Sequence, residues 1–95
     1  MVSPYFLKTV SYWVYILESE SNHRYYIGST SNIEKRLKHH NDGRVKSTKS
    51  DRLWILRHAE KYLTLSEACK REMQLKSWKS RKAIKKLFEA HSSNG

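Results

Sequence analysis

The sequence has little of what several protein classes require. Its one cysteine, Cys69, excludes a disulfide within the chain and a zinc site of several cysteines. No apolar run approaches the roughly 20 residues that a transmembrane helix needs. The first residues lack the basic start and long apolar stretch of a signal peptide. We therefore expect a cytoplasmic protein with no membrane partner.

Acidic residues are also scarce. Nine Asp and Glu stand against 19 Lys and Arg, which gives a net charge of +10 over 95 residues. This excess indicates an anionic partner, with nucleic acid ahead of an anionic membrane surface. The length supports one domain with a small core.

Hydrophobic patterning predicts three strands. Residues 12–18 and 24–30 are rich in β-branched and aromatic side chains, and a polar loop of about five residues joins them. Both strands carry apolar groups on both faces, so we expect layers on both sides of the sheet. Residues 53–63 predict a third strand, after a polar and basic loop.

Capping signals predict three helices. Ser31 with Glu34 predicts a start, and the helix is expected to run to about Asn41, with Gly43 as its stop. Thr64 with Glu67 predicts the second helix, to about Trp78, and Ser80 the cap of the last.

The predicted fold is therefore one α/β (α+β) domain with a three-stranded sheet flanked by helices, in the order β-β-α-β-α-α. We expect it to span residues 12–90, between a short lead-in at 1–11 and a flexible tail at 91–95.

Two predicted helices place ionisable groups among their apolar residues. On the first, Arg36 and His40 share the face of Ile33 and Leu37. They are either a snorkelling arginine and an ordinary hydrogen-bonded histidine, or part of a site. On the second, Glu72 falls in the middle of an apolar stripe of residues 65, 68, 69 and 75. A carboxylate there needs a partner or a metal, and Lys76, one turn on, is the structural alternative.

The predicted hairpin adds three candidates. Tyr15 and Tyr26 lie on its two strands, where tyrosines usually serve packing. Gly28 weakens the second strand and marks a bulge or a close backbone approach. With the first helix following directly, a phenol, an arginine and a histidine are expected near one edge of the sheet.

The order and spacing of these residues resemble the GIY-YIG nuclease family, in particular its stand-alone, single-domain bacterial members and the N-terminal catalytic domain of the bacterial excinuclease. Tyr15 matches the first signature tyrosine, and Tyr26-Ile27-Gly28 is the second motif intact. Arg36 stands ten positions after Tyr26, as in the family. The remaining matches to the family are the run Arg36-Leu37-Lys38-His39-His40-Asn41-Asp42-Gly43 and the glutamate Glu72. Departures are Trp13-Val14 before Tyr15, where the family name implies Gly-Ile, Ser29, where the excinuclease domain has lysine, and Ile84, where some members have asparagine.

The resemblance implies hydrolysis of DNA phosphodiester bonds with one divalent ion, Mg²⁺ or Mn²⁺, held by Glu72. Arg36 would bind phosphate oxygens. Tyr26 would be the general base or would orient water, a role for which a phenol needs a nearby positive charge. Tyr15 would support it by a hydrogen bond, and His40 would relay a proton or contact phosphate.

The basic surplus predicts contacts with the DNA backbone and little sequence preference. The predicted nucleic-acid contacts are Gly28, Arg44, Lys46, Lys49 and Lys76. From the family we expect a branched, nicked or flapped substrate, in repair or recombination, and a monomer or weak dimer.

Two alternatives stay open. The chain is a nucleic-acid-binding module with weak or no catalysis, or it is a catalytic subunit whose protein partner selects the substrate.

Overall fold

The computed structural model describes residues 10–92. The strands are β1 (Tyr12–Ser19), β2 (Tyr25–Thr30) and β3 (Trp54–Tyr62), and the helices are α1 (Ile33–Asn41), α2 (Leu65–Trp78) and α3 (Arg81–Ser92). This is the predicted order, with a short 3-10 helix (Lys49–Asp51) added in the loop before β3. The helix α3 extends two residues into the predicted tail. Residues 1–9 of the predicted lead-in and 93–95 of the tail lie outside the described range.

The sheet is antiparallel, with β1 in the middle and the order β2-β1-β3. Val14 and Ile16 point to one face, where they pack with residues of α2 and α3. Tyr15 and Leu17 point to the other face, towards Leu37 of α1. All four of these β1 residues are buried, as a strand between two layers must be. The predicted α+β class and the two-sided sheet are confirmed.

Helix boundaries follow local capping, with one correction. The helix α1 is capped by Asn32, whose side chain accepts a hydrogen bond from the Lys35 amide at 3.0 Å, and not by Ser31. Asparagine is as good an N-cap as serine, so the start moves by one residue. The predicted Thr64 cap of α2 is confirmed, and Ser80 accepts from the Ala83 amide at the start of α3.

The helix α2 is rotated relative to the predicted stripe. Leu65 and Cys69, which were expected to be buried, are exposed, and the buried face centres on Ala68 and Leu75. The cause lies on β3, where the Glu60 carboxylate accepts hydrogen bonds from Arg71 at 2.8 and 3.1 Å. This bidentate pair turns the Arg71 side of α2 towards the sheet.

The Glu60 carboxylate is the centre of a larger polar cluster. It also accepts from Tyr62 at 2.7 Å and contacts the His58 ring at 2.8 Å. Burial opposes ionisation, but hydrogen bonds from Arg71, His58 and Tyr62 outweigh it and lower the pKa of Glu60 to about 2. The cluster therefore holds an ionised carboxylate between β3 and α2.

No helix within residues 10–92 is both long and apolar enough to cross a membrane.

We expect Glu60→Gln to lower the free energy of unfolding at neutral pH by about 3 kcal/mol, the equivalent of the pKa shift. Because the folded-state pKa lies below the ordinary value of 4.5, this stabilisation is present above pH 4.5 and is lost as the pH falls towards 2. Urea unfolding of wild type and variant from pH 7 to 2 measures it. Glu20→Gln, in the exposed β1–β2 loop, is the control. A difference between Glu60→Gln and wild type that is the same at every pH would contradict the assignment.

Candidate active site

The site is built around the close packing of Tyr15 on Gly28. These two residues face each other across the β1–β2 ladder. A Cβ atom on Gly28 would lie 2.5 Å from the Tyr15 hydroxyl oxygen and 2.7 Å from Cζ. The strand glycine is therefore the residue that lets the Tyr15 ring lie against β2. Gly28 is buried, so the predicted contact with nucleic acid is replaced by this packing role.

The Tyr15 hydroxyl joins two residues of α1. It is 3.1 Å from His40 Nε2 and accepts a hydrogen bond from Arg36 Nε at 3.4 Å. Burial raises the pKa of Tyr15, and the Arg36 hydrogen bond only partly opposes it. Tyr15 is thus a protonated phenol at neutral pH.

His40 is fully buried, at 0% exposure. Its Nδ1 lies 2.8 Å from the Thr48 hydroxyl, so both ring nitrogens have partners. Burial first, and the charge of Arg36 second, lower the pKa of His40 to about 4. The imidazole is neutral at physiological pH. Because the residue is 0% exposed, this arrangement favours the predicted proton relay by His40 over its predicted direct contact with phosphate.

Tyr26 lies beside this group and is only half-buried. Its ring centroid is 4.7 Å from that of His40 and 6.3 Å from those of Tyr15 and Trp54. Hydrogen bonding to Tyr15, and more weakly to Tyr26, raises the pKa of Arg36. One guanidinium therefore engages both phenols, and Tyr26 is the phenol with access to solvent.

Glu72 approaches from α2. Its side chain is 20% exposed and pairs with Lys76, whose Nζ lies 2.5 Å from Oε2. Its charge contributes to the raised pKa of Tyr15. The rotation of α2 puts Glu72 at the edge of the buried face, not in its middle as predicted.

The donor set near Glu72 is sparse. Among residues 10–92, no three His, Cys, Asp or Glu side chains are grouped as metal ligands. A single half-buried carboxylate fits a hard cation that keeps most of its water, and does not fit zinc or another ion that needs three or four protein ligands.

The predicted nucleic-acid contacts fall into two places. Arg44, Lys46 and Lys49 are exposed on the loop that follows α1. Lys76 lies on α2 and is held by Glu72. A depression also lies at the start of α1, and it is lined by Thr30, Ser31, Asn32, Lys35, Arg36 and His39.

Ser29 and Ile84, which depart from the family pattern, have different surroundings. Ser29 is partly exposed, with its hydroxyl 4.0 Å from the Sγ atom of the exposed Cys69. Ile84 is 4% exposed and belongs to the core, where a polar residue would lack solvent.

Sequence reasoning missed two residues that organise the site. Thr48 is 1% exposed and bonds to His40, although it lies in a polar loop. The Asn41 side chain accepts from the Trp54 amide at 2.6 Å and donates to its carbonyl at 3.1 Å, which ties α1 to the start of β3. Both contacts join segments distant in sequence, so no local pattern signals them.

A family model described as the GIY-YIG catalytic domain matches residues 11–87. Tyr15, Tyr26, Arg36, His40 and Glu72 all lie inside the matched range.

Two relatives are UPF0213 proteins. The one from Staphylococcus haemolyticus is 34% identical over 79 residues, which is 82% of this chain and 95% of the relative. The one from Syntrophus aciditrophicus is 50% identical over 66 residues, which is 67% of this chain and 75% of the relative.

A similar structure is that of a UPF0213 protein from Bacillus halodurans, solved by NMR in solution. The TM-score is 0.53 at 27% sequence identity, and the likeness covers 84% of each chain. The two proteins therefore share the α+β fold.

We expect Gly28→Ala to destabilise the fold by about 1–3 kcal/mol, because the new methyl group collides with the buried Tyr15 ring. Thermal or urea unfolding measures the change. Ser29→Ala, at the adjacent and partly exposed position, is the control and should change stability by less than about 0.5 kcal/mol. A Gly28→Ala protein as stable as wild type would mean that Tyr15 does not lie against this glycine.

Proposed function

The chain belongs to the family of GIY-YIG catalytic domains, and on this premise we propose that it is a divalent-metal-dependent endonuclease that hydrolyses DNA phosphodiester bonds. The observation that carries the proposal is the group formed by Tyr15, Tyr26, Arg36 and His40. A buried phenol, a neutral imidazole and a guanidinium are hydrogen-bonded together, next to a second phenol that solvent can reach. A core built only for stability has no need of four such polar residues at one point.

Arg36 supplies the positive charge. Hydrolysis adds negative charge to the phosphate as water attacks, and a fixed guanidinium stabilises that charge. The Tyr15 hydrogen bond orients the guanidinium, and Arg36 is one of the residues that line a depression open to solvent. Because a guanidinium has several donors in one plane, the other donors remain free for phosphate oxygens.

Tyr26 is the proposed general base or water-orienting group. Tyr15 is a poorer candidate because it is 2% exposed, and burial favours its protonated form. Tyr26 is half-buried and lies beside Arg36, so solvent and a bound phosphate can reach it. Tyr15 and His40 act as its support.

Glu72 is the residue proposed to hold the metal. Mg²⁺ or Mn²⁺ would supply Lewis-acid stabilisation of the phosphate and of the leaving oxygen. Lys76 occupies one carboxylate oxygen of Glu72. This residue must release Glu72, or share it, when the cation binds.

DNA is the proposed substrate, held through its backbone. The net charge of +10 and the exposed loop of Arg44, Lys46 and Lys49 favour phosphate contacts. The helix nearest the site, α1, turns Arg36 and His40 inward to the two tyrosines, not outward to read a groove. We therefore propose a substrate chosen by its shape, such as a branch, nick or flap, in cytoplasmic repair or recombination.

One observation favours a second candidate function, a DNA-binding module without catalysis. The Glu72–Lys76 pair satisfies the carboxylate with no metal. A catalytic chain that depends on a protein partner would behave in the same way when it is isolated.

We expect the purified protein to cut labelled DNA with Mg²⁺ or Mn²⁺, and EDTA to abolish cutting. Linear, nicked, flapped and branched substrates identify the preferred shape. Glu72→Gln and Tyr26→Phe should each lower the cleavage rate by about 10²-fold or more, because each removes one reacting group. The matched controls Glu34→Gln, on the exposed side of α1, and Tyr12→Phe, on the opposite face of the sheet, should cut like wild type.

The two functions give different results in this assay. Salt-sensitive binding without cutting on any substrate would overturn the nuclease proposal in favour of the binding module or the missing partner. Undiminished cutting by Glu72→Gln would remove the metal role of that residue.

The basic loop can be tested by the salt dependence of binding. Each phosphate contact contributes about 0.9 to the log–log slope, so Lys46→Gln with Lys49→Gln should reduce the slope by about 2. Fluorescence anisotropy at several salt concentrations measures it. The matched pair Lys82→Gln with Lys86→Gln, on exposed α3 across the sheet, should leave the slope unchanged. Equal effects of the two pairs would contradict a loop-centred interface.

A further inference from the structure

The directions of the hydrogen bonds around His40 depend on where the proton of the Thr48 hydroxyl lies. A carbonyl oxygen has no proton, so in its 3.3 Å contact with Thr48 the threonine hydroxyl must be the donor. A hydroxyl has one proton. With that proton directed at the Val45 carbonyl, the Thr48 oxygen is left to accept in its second contact, the one at 2.8 Å from His40 Nδ1.

The protonation state of His40 follows. Its low pKa makes the ring neutral, with one N–H between its two nitrogens. Thr48 requires that proton on Nδ1. Nε2 is then a bare acceptor, and the Tyr15 hydroxyl, 3.1 Å away, must be the donor. The Tyr15 oxygen in turn accepts from Arg36 Nε.

Thr48 itself is held rigidly. Its carbonyl accepts from the Trp54 indole at 3.0 Å and from the Asp51 amide at 3.2 Å, and its own amide donates to Val45 at 3.1 Å. Because Thr48 is 1% exposed, solvent water does not compete for the hydrogen bonds of its hydroxyl. The position and direction of the hydroxyl are thus set by the loop before β3.

We propose that Thr48 is a positioning residue that fixes the tautomer of His40 and, through it, the direction of the Tyr15 O–H bond. The proposal deepens the proposed nuclease function and rests on it for its catalytic meaning. With the Tyr15 proton directed at His40, the phenol oxygen presents only acceptor sites towards Arg36 and Tyr26.

The opposite tautomer would reverse this pattern. A proton on Nε2 would be donated to the Tyr15 oxygen and would compete there with Arg36. The Tyr15 O–H would then turn outward and present a donor to the site. A water molecule that must lose a proton needs an acceptor, so the reversed arrangement is the less productive one.

The residues that face His40 belong to four segments: Tyr15 on β1, Tyr26 on β2, Arg36 and His39 on α1, and Thr48 on the loop before β3. Within the described part of the chain, residues 10–92, only Tyr15 and Thr48 contact the ring nitrogens through hydrogen bonds, at 3.1 and 2.8 Å. Thr48 is therefore the partner that can select between the tautomers without altering the tyrosine.

The experiment compares wild type, Thr48→Val and Thr48→Ser by ¹⁵N NMR of the histidine ring at neutral pH, with the His40 signals assigned through its own backbone. Valine keeps the shape and removes the hydroxyl, and serine keeps the hydroxyl. We expect an Nδ1–H ring in wild type and Thr48→Ser, and an Nε2–H ring in Thr48→Val. Backbone amide spectra establish that each variant is folded. An Nε2–H ring in wild type, or the wild-type tautomer in Thr48→Val, would overturn the proposal.

Cleavage kinetics provide the second arm. We expect Thr48→Val to lower kcat by roughly 10-fold with KM little changed, the lower end of the effect of removing the hydrogen-bond partner of a metal-ligating histidine, and Thr48→Ser to restore it. A tautomer switch with unchanged kcat would overturn the catalytic role of Thr48. If wild type cuts no DNA, the nuclease proposal fails, whereas the NMR comparison still decides the effect of Thr48 on His40.

Discussion

The Tyr15 side chain is the point on which the rest of the site depends. It projects from the central strand onto a glycine of the neighbouring strand, where any larger residue would collide with it. That packing leaves the hydroxyl buried, so it must find partners inside the protein. Arg36 and His40, one turn apart on α1, provide them. The same contacts dock α1 on the sheet and assemble the proposed catalytic group, so the stability of the fold and the proposed chemistry depend on one set of hydrogen bonds.

The second constraint acts from the other face of the sheet. The Glu60–Arg71 pair fixes the rotation of α2 about its axis. Glu72 follows Arg71 in the chain, so the same rotation places its carboxylate at the edge of the core, where its charge reaches Tyr15. An ion pair on the opposite face of the sheet from the Tyr15 ring thereby sets the position of the proposed metal ligand.

Much of the fold was predictable because its signals are local. The alternation of β1, the Thr64 cap and the inward position of His40 each depend on residues a few places apart. Two predictions were wrong, the cap residue of α1 and the buried face of α2. In each case the local sequence allowed two arrangements of nearly equal energy. Ser31 and Asn32 are comparable caps, and the mixed polarity of α2 allowed two rotations, which the distant Glu60 decided.

The sequence by itself determined the order of the elements and the family. It also identified the candidate site residues, which are Tyr15, Tyr26, Arg36, His40 and Glu72. These properties rest on periodicity, capping and motif spacing, all of which are local along the chain. Only the tertiary structure decided that His40 is buried away from solvent, that Tyr26 is the accessible phenol, and that the Thr48 hydroxyl lies 2.8 Å from the His40 ring. Exposure and hydrogen-bond direction depend on which distant segments pack together, and no local pattern encodes that.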